Sequence, residues 1–168
     1  MSLMPTASVF QTAASYARRS QWARALNLLV HKPSQTLSGD PEQTTIAYNK
    51  VLTAFAKARQ WRASLALLAI MRANQVQPSS ISYSALVTAQ HGDGRWQCAL
   101  ILLCEMPLHS VEPDIVNYNC TIAACAAAGE WSVASGLLHD MVLSRVSPDV
   151  VSYNTVISAC NRAAKMDK

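Results

Sequence analysis

Apolar residues run along this chain in helix-like stretches that break at regular places. From Ile115 to Ala127 the residues are mostly alanine and β-branched, and Gly129 stops the run in the manner of a helix C-terminus. Glu130 and Trp131 open a second stretch, in which Val133, Leu137, Leu138 and Met141 recur at helical spacing. Pro148 closes it, because proline donates no N–H to a helix and restricts the residue before it. The pattern predicts two helices joined by a tight turn.

That hairpin recurs. Tyr48, Tyr83, Tyr118 and Tyr153 stand 35 residues apart, and Trp61, Trp96 and Trp131 keep the spacing, as do Pro78, Pro113 and Pro148. Repeats are predicted at 45–79, 80–114 and 115–149. Residues 150–168 hold a partial C-terminal repeat, with one helix from Val150 to about Ala164. Residues 6–44 form a degenerate repeat with four extra residues, placed in a longer loop over Lys32–Pro41, and residues 1–5 are an N-terminal extension. Each hairpin is apolar on two sides and cannot bury its surface alone. Neighbours must therefore stack into one domain, an all-α solenoid of either hand with one helix layer inside. The Trp, Leu and Met positions are expected to pack between repeats.

Composition agrees with a packed helical interior. The chain is 51% hydrophobic and 14% charged, and no apolar run is long enough to predict a transmembrane segment. The net charge of +4 is unevenly spread, since residues 1–79 hold nine Lys/Arg against two Asp/Glu. A basic half of this kind attracts phosphate or an acidic surface. The five cysteines are odd in number and form no CxxC pair, which reads as small buried hydrophobes in a reducing compartment. The histidines are scattered, so no metal site is expected. No HxE with CxxC and no acidic cluster is present, which leaves no basis for an enzyme, a cofactor or a small-molecule substrate. Before Asp40 the chain is rich in Ala, Ser, Thr and Arg, like an organellar presequence. However, Trp22, Ala25, Leu26, Leu28 and Leu29 already match the later repeats, so folded structure is expected from residue 6 onward.

The junction Pro148-Asp149-Val150-Val151-Ser152-Tyr153-Asn154 resembles that of pentatricopeptide-repeat proteins, and it recurs at Pro113–Asn119 and more loosely at Pro78–Ser84. Tetratricopeptide units lack this junction and run 34 residues. The resemblance covers nearly the whole chain, although the Trp opening each second helix is similar to a variant of algal and protist members. It implies a right-handed α-solenoid (superhelix) of 35-residue helix-turn-helix repeats, found in a mitochondrion or plastid. Its ligand would be single-stranded RNA, bound one base per repeat, in RNA processing, stability or translation. The implied base-reading pairs are Asn49 with Ser79, Ser84 with Asp114, and Asn119 with Asp149, followed by Asn154 alone. Base-sandwiching residues would be Ile46, Ile81, Val116 and Val151, and phosphate contacts Arg18, Lys57 and Arg162. The family's pairing rules would give cytosine, guanine and uracil in order.

Three departures stand beside that reading. Gly92 and Ala127 occupy phosphate-contacting positions, and Phe10 occupies a base-reading one. Asn, Ser and Asp at helix starts also serve as ordinary N-caps. A rival expectation is a scaffold subunit that binds protein subunits of an organellar assembly, such as a ribosome or a membrane-bound energy-converting complex.

Overall fold

The computed structural model describes residues 6–19, 21–31, 41–90 and 95–166. The expected N-terminal extension, all but the last residue of the expected Lys32–Pro41 loop, and Gly92 lie outside them. Among the described residues the structure is helical throughout, in the order α1 (Thr6–Arg18), α2 (Trp22–His31), α3 (Pro41–Lys57), α4 (Trp61–Ala73), α5 (Ser80–Ala89), α6 (Trp96–Leu108), α7 (Ile115–Ala127), α8 (Trp131–Leu143) and α9 (Val150–Met166). The expected all-α class holds. The chain divides into two compact units, Met1–Ala89 and Gln90–Lys168.

In the first unit α1 packs on α2 and α3, and α3 packs on α4 and α5. The second helices α2 and α4 also touch, so first and second helices form two layers. Tyr48, Leu52 and Phe55 of α3, Leu67 and Met71 of α4, and Tyr83 and Leu86 of α5 are fully buried between them. Phe10 is buried too, edge-on to the Tyr48 ring at 5.0 Å between centroids. The base-reading position of the degenerate repeat thus serves the core.

In the second unit α7 packs on α6, α8 and α9, and α9 also meets α8. Met106, Ile122, Cys125 and Met141 have no exposed surface. Burial pushes the Cys125 thiol up to about 11, and the nearby Glu130 carboxylate adds to the effect.

Two of the tyrosines hold their hairpins closed at the open end. Asn74, the residue that ends α4, donates through Nδ2 to the Tyr48 hydroxyl at 3.1 Å. In the second unit the Tyr118 hydroxyl donates to Ser144, which ends α8, at 2.9 Å. Tyr83 instead accepts from Arg72 of α4 at 3.2 Å.

The second helices end alike. Gln75, Ser110 and Arg145 adopt φ of 57°, 59° and 59°, the left-handed turn of a Schellman stop. Val76, Val111 and Val146 then donate N–H back to the carbonyls of Met71, Met106 and Met141. The first helices stop the same way at Arg59 (φ 53°) and Gly129 (φ 84°). At Gly129 the backbone conformation is free of side-chain cost; at Arg59 it is not.

One expectation fails in part. Trp22 and Trp131 are not buried packing residues, at 42% and 48% exposed, while Trp61 and Trp96 are half-buried. Each tryptophan lies at the first position of a second helix. Packing falls instead to Leu67, Met71, Leu102, Met106, Leu137 and Met141.

Candidate nucleic-acid interface

In the first unit, the start of α5 meets the middle of the first helix before it. Pro78 ends one hairpin, and the Ser79 N–H donates to the Ser82 hydroxyl at 3.0 Å, which fixes the first turn of α5. The Ser82 hydroxyl donates to Asn49 Oδ1 at 2.6 Å, and Asn49 Nδ2 donates to Ser79 Oγ at 3.1 Å. Ser82 has no exposed surface and Asn49 very little. A buried hydroxyl thereby sets the flip of the Asn49 amide, and one amide N–H remains to point elsewhere.

The second unit builds the same cluster with a carboxylate. The Ser152 hydroxyl lies 2.6 Å from Asn119 Oδ1 and 2.9 Å from Asp149 Oδ1, and its single proton serves one of them at a time. Asn119 Nδ2 donates to Asp149 Oδ1 at 3.2 Å, and the Ser152 N–H donates to the same oxygen at 2.8 Å. The Ser152 N–H above all, with its hydroxyl next, holds the Asp149 carboxyl below the usual aspartate range. Asp149 is therefore ionised at neutral pH. Its bonds with Ser152 and Asn119 fall on Oδ1, and the Val151 N–H adds to the same carboxyl.

The other predicted residues have different surroundings. Asp114 caps α7, its Oδ1 accepting from Val116 and Asn117 N–H at 2.9 and 3.0 Å, while Asn117 Oδ1 accepts from the Asp114 N–H. This is a capping box, and it occupies Asp114 structurally. Ser84 donates to the Ile81 carbonyl at 3.0 Å within α5. Asn154 is exposed on α9. Of the phosphate candidates, Lys57 is exposed at the end of α3, and Arg18 is exposed with Nε 3.4 Å from the Ala14 carbonyl. Arg162 donates across to the Ala126 carbonyl at 3.1 Å, which ties α9 to the end of α7.

Four aliphatic side chains near the starts of the first helices face water. Ile46 is 39%, Ile81 61%, Val116 52% and Val151 57% exposed. They sit one turn before Asn49, Ser84, Asn119 and Asn154 respectively. Val51, Leu52, Leu86, Val87, Ile122 and Val156 of the same helices are buried, so these four exposed positions lie off the packed faces.

The clamping residues Ser82 and Ser152, and Asn117 at the equivalent position, carry no assigned role in the sequence reading. They share the 35-residue period, and all three are buried. A polar residue recurring in an otherwise apolar helix was the available signal.

Among the described residues no group of His, Cys, Asp and Glu could hold a metal, and no helix is long and apolar enough to cross a membrane. The profile of the PPR repeat family matches residues 113–162, and that of the pentatricopeptide repeat domain matches residues 42–92. Together they span more than half of the chain. The sequence matches none of the curated proteins. The structure resembles that of the pentatricopeptide repeat protein PPR10 from maize, with a TM-score of 0.70 at 19% identity over 90% of this chain. PPR10 in complex with an 18-nt psaJ RNA element aligns with a TM-score of 0.65 at 27% identity over 92% of this chain. In both, this chain spans 22% of the PPR10 chain. The PPR domain of Arabidopsis thaliana protein-only RNase P 1, in complex with tRNA, aligns over 98% of this chain and 92% of that one, with a TM-score of 0.66 at 14% identity.

Proposed function

This chain belongs to the pentatricopeptide-repeat family, and from that membership we propose that it is a non-catalytic binder of single-stranded RNA. It acts in a mitochondrion or plastid, and each hairpin takes about one base. The observation that carries this reading is the pair of clamped amides, Asn49 and Asn119, each preceded by an exposed aliphatic residue. A buried serine fixes each amide before a ligand arrives, so little order is lost on binding. The remaining N–H meets an acceptor on a base edge. Ile46 or Val116 covers the base face, and Ser79 or Asp149 orients the amide or accepts a second bond. The RNA-bound structures of PPR10 and of the RNase P domain lend the reading further support.

Fluorescence anisotropy with labelled RNA oligomers tests it. Asn49→Ala and Asn119→Ala should each weaken binding by about 1–3 kcal/mol, roughly five- to 150-fold. No binding at low salt, or no effect of either substitution, would overturn the proposal.

A scaffold role in an organellar assembly is the second reading. It is favoured by apolar surface on the second unit: Ile101, Leu108, Val142 and Leu143 on the second helices, and Val150, Tyr153 and Ile157 on α9, are all more than half exposed. It fails if the purified chain is monomeric and stable without partners while binding RNA.

A further inference from the structure

Reading so few bases gives limited affinity, and phosphate neutralisation must supply much of the rest. In the first unit, cations gather at one place. The α1–α2 turn and the α3–α4 turn lie side by side, because α1 packs on α3 and α2 on α4. Arg18, Arg19 and Arg24 surround the first turn, and Lys57, Arg59 and Arg62 surround the second, all of them exposed. The one acidic residue among the described residues of this unit, Glu42, sits in the first turn of α3. That is fifteen residues from Lys57, about 22 Å along the helix and more than twice the screening length at physiological salt.

Aromatic rings are interleaved with these charges. Trp22 is 42% exposed between Arg19 and Arg24, and the Arg62 guanidinium lies over the Trp61 ring at 4.6 Å. An open cavity of about 370 Å³ lined by Tyr16, Ala23, Arg24, Asn27 and Leu28 adjoins the first turn. The second unit shows that folding does not require the charges. Its equivalent turn runs Ala127, Ala128, Gly129, Glu130, Trp131, with the same exposed indole and no cation.

We propose that this turn edge is a second nucleic-acid surface, which holds the phosphate backbone of RNA beyond the bases read at the clamped amides. Arg19, Arg24, Arg59 and Arg62 contact phosphates, and Trp22 and Trp61 offer faces on which unpaired bases stack. A single-stranded nucleic acid matches both features at once, its phosphates meeting the cations and its bases the indole faces. The inference rests on the RNA-binding reading and adds a surface to it.

The test is anisotropy with a labelled oligouridylate across a salt titration, on the full chain. A variant carrying Arg19→Gln, Arg24→Gln, Arg59→Gln and Arg62→Gln should bind more weakly and flatten the salt slope by up to about 3, at about 0.7 for each phosphate no longer neutralised. Asn49→Ala should weaken binding and leave the slope unchanged. In a Trp96→Phe, Trp131→Phe background, RNA should quench the remaining indole emission. If the amide variants weaken binding while the fourfold variant matches the parent, this surface is refuted and the base-reading proposal stands. If the parent chain binds nothing at low salt, both fall. Loss of polyglutamate binding by the fourfold variant with RNA affinity unchanged would assign the edge to an acidic protein and overturn the proposal. Should the fourfold variant unfold, the pairs Arg19→Gln with Arg62→Gln and Arg24→Gln with Arg59→Gln each predict half the slope change.

Discussion

Replacing Gln90 by methionine should stabilise this protein. Gln90 follows α5 in the register occupied by Phe55 in α3 and Cys125 in α7, both fully buried. It is itself 2% exposed, and both its Nε2 and Oε1 are buried with no hydrogen-bond partner. A buried polar group left unpaired costs about 1–3 kcal/mol. Methionine has nearly the same length and flexibility, so it removes that cost without a cavity or overpacking. The expected gain is about 1–3 kcal/mol, or roughly 2–10 °C in Tm for a chain of this size. Urea unfolding followed by circular dichroism measures it, with the denaturant slope unchanged between parent and variant. Equal or lower stability in Gln90→Met would refute the reasoning, because it would mean the amide is satisfied in solution. Gln90→Ala serves as the contrast. It removes the amide but opens a void, so it should fall well short of the methionine variant.

Arg145→Gly relieves a left-handed backbone conformation that costs a non-glycine residue about 1–2 kcal/mol, partly offset by the freedom glycine gains on unfolding. A net gain of about 0.5–1 kcal/mol in urea unfolding is expected, and a loss would contradict the assignment of Arg145 to a Schellman stop. Cys125, raised from 9.0 to about 11 by burial, keeps its proton in the folded state while the unfolded thiol ionises. Stability should therefore fall as pH rises from 9 to about 11, and Cys125→Ala should lose that slope; an unaltered alkaline limb in thermal melts would count against it. Asp149 titrates below its ordinary 3.8 in the folded state, so its stabilisation is present above that value and fades as pH drops through the lower folded pKa. Asp149→Asn should flatten the acid limb of a stability–pH curve, and an identical limb would show that the Ser152 contacts do not persist in solution.

The hairpins were legible because helix starts and stops are written in residues with few alternatives. Gly129 must take a left-handed turn that other residues adopt at a cost, and Asp114 before an apolar run is a helix start on its face. The faces of the helices were harder to read. Tyr118 and Trp131 share a period, yet one is buried and the other is 48% exposed, since a fixed spacing marks equivalent places without saying which way they point. The stops at Gln75, Ser110 and Arg145 escaped notice because none is a glycine. Their common signal, the valine that follows each of them, is a weak one. In the site, Asn49, Asn119 and Asp149 were visible as polar residues in junction positions. Their clamps Ser82 and Ser152 were not, because a small hydroxyl in a helix draws no notice until a partner from another helix is found beside it.

The clamp also sets where such a protein can be cut and rejoined. Asn49 belongs to one hairpin, while Ser79 and Ser82, which hold it, stand at the junction and start of the next. Asn119 stands in the same relation to Asp149 and Ser152. Amide and serine are 33 residues apart in both cases, nearly the whole 35-residue period. The clamped amide cluster is thus out of phase with the helical hairpin. Shuffling hairpins at the prolines, or at the Gly129 turn, would part an amide from its serine. Only a seam at Tyr83 or Tyr153, just after one clamp and just before Ser84 or Asn154, carries each amide and its clamp together. Natural duplication and laboratory grafting alike would keep the amide–serine clamp intact at that seam and break it elsewhere.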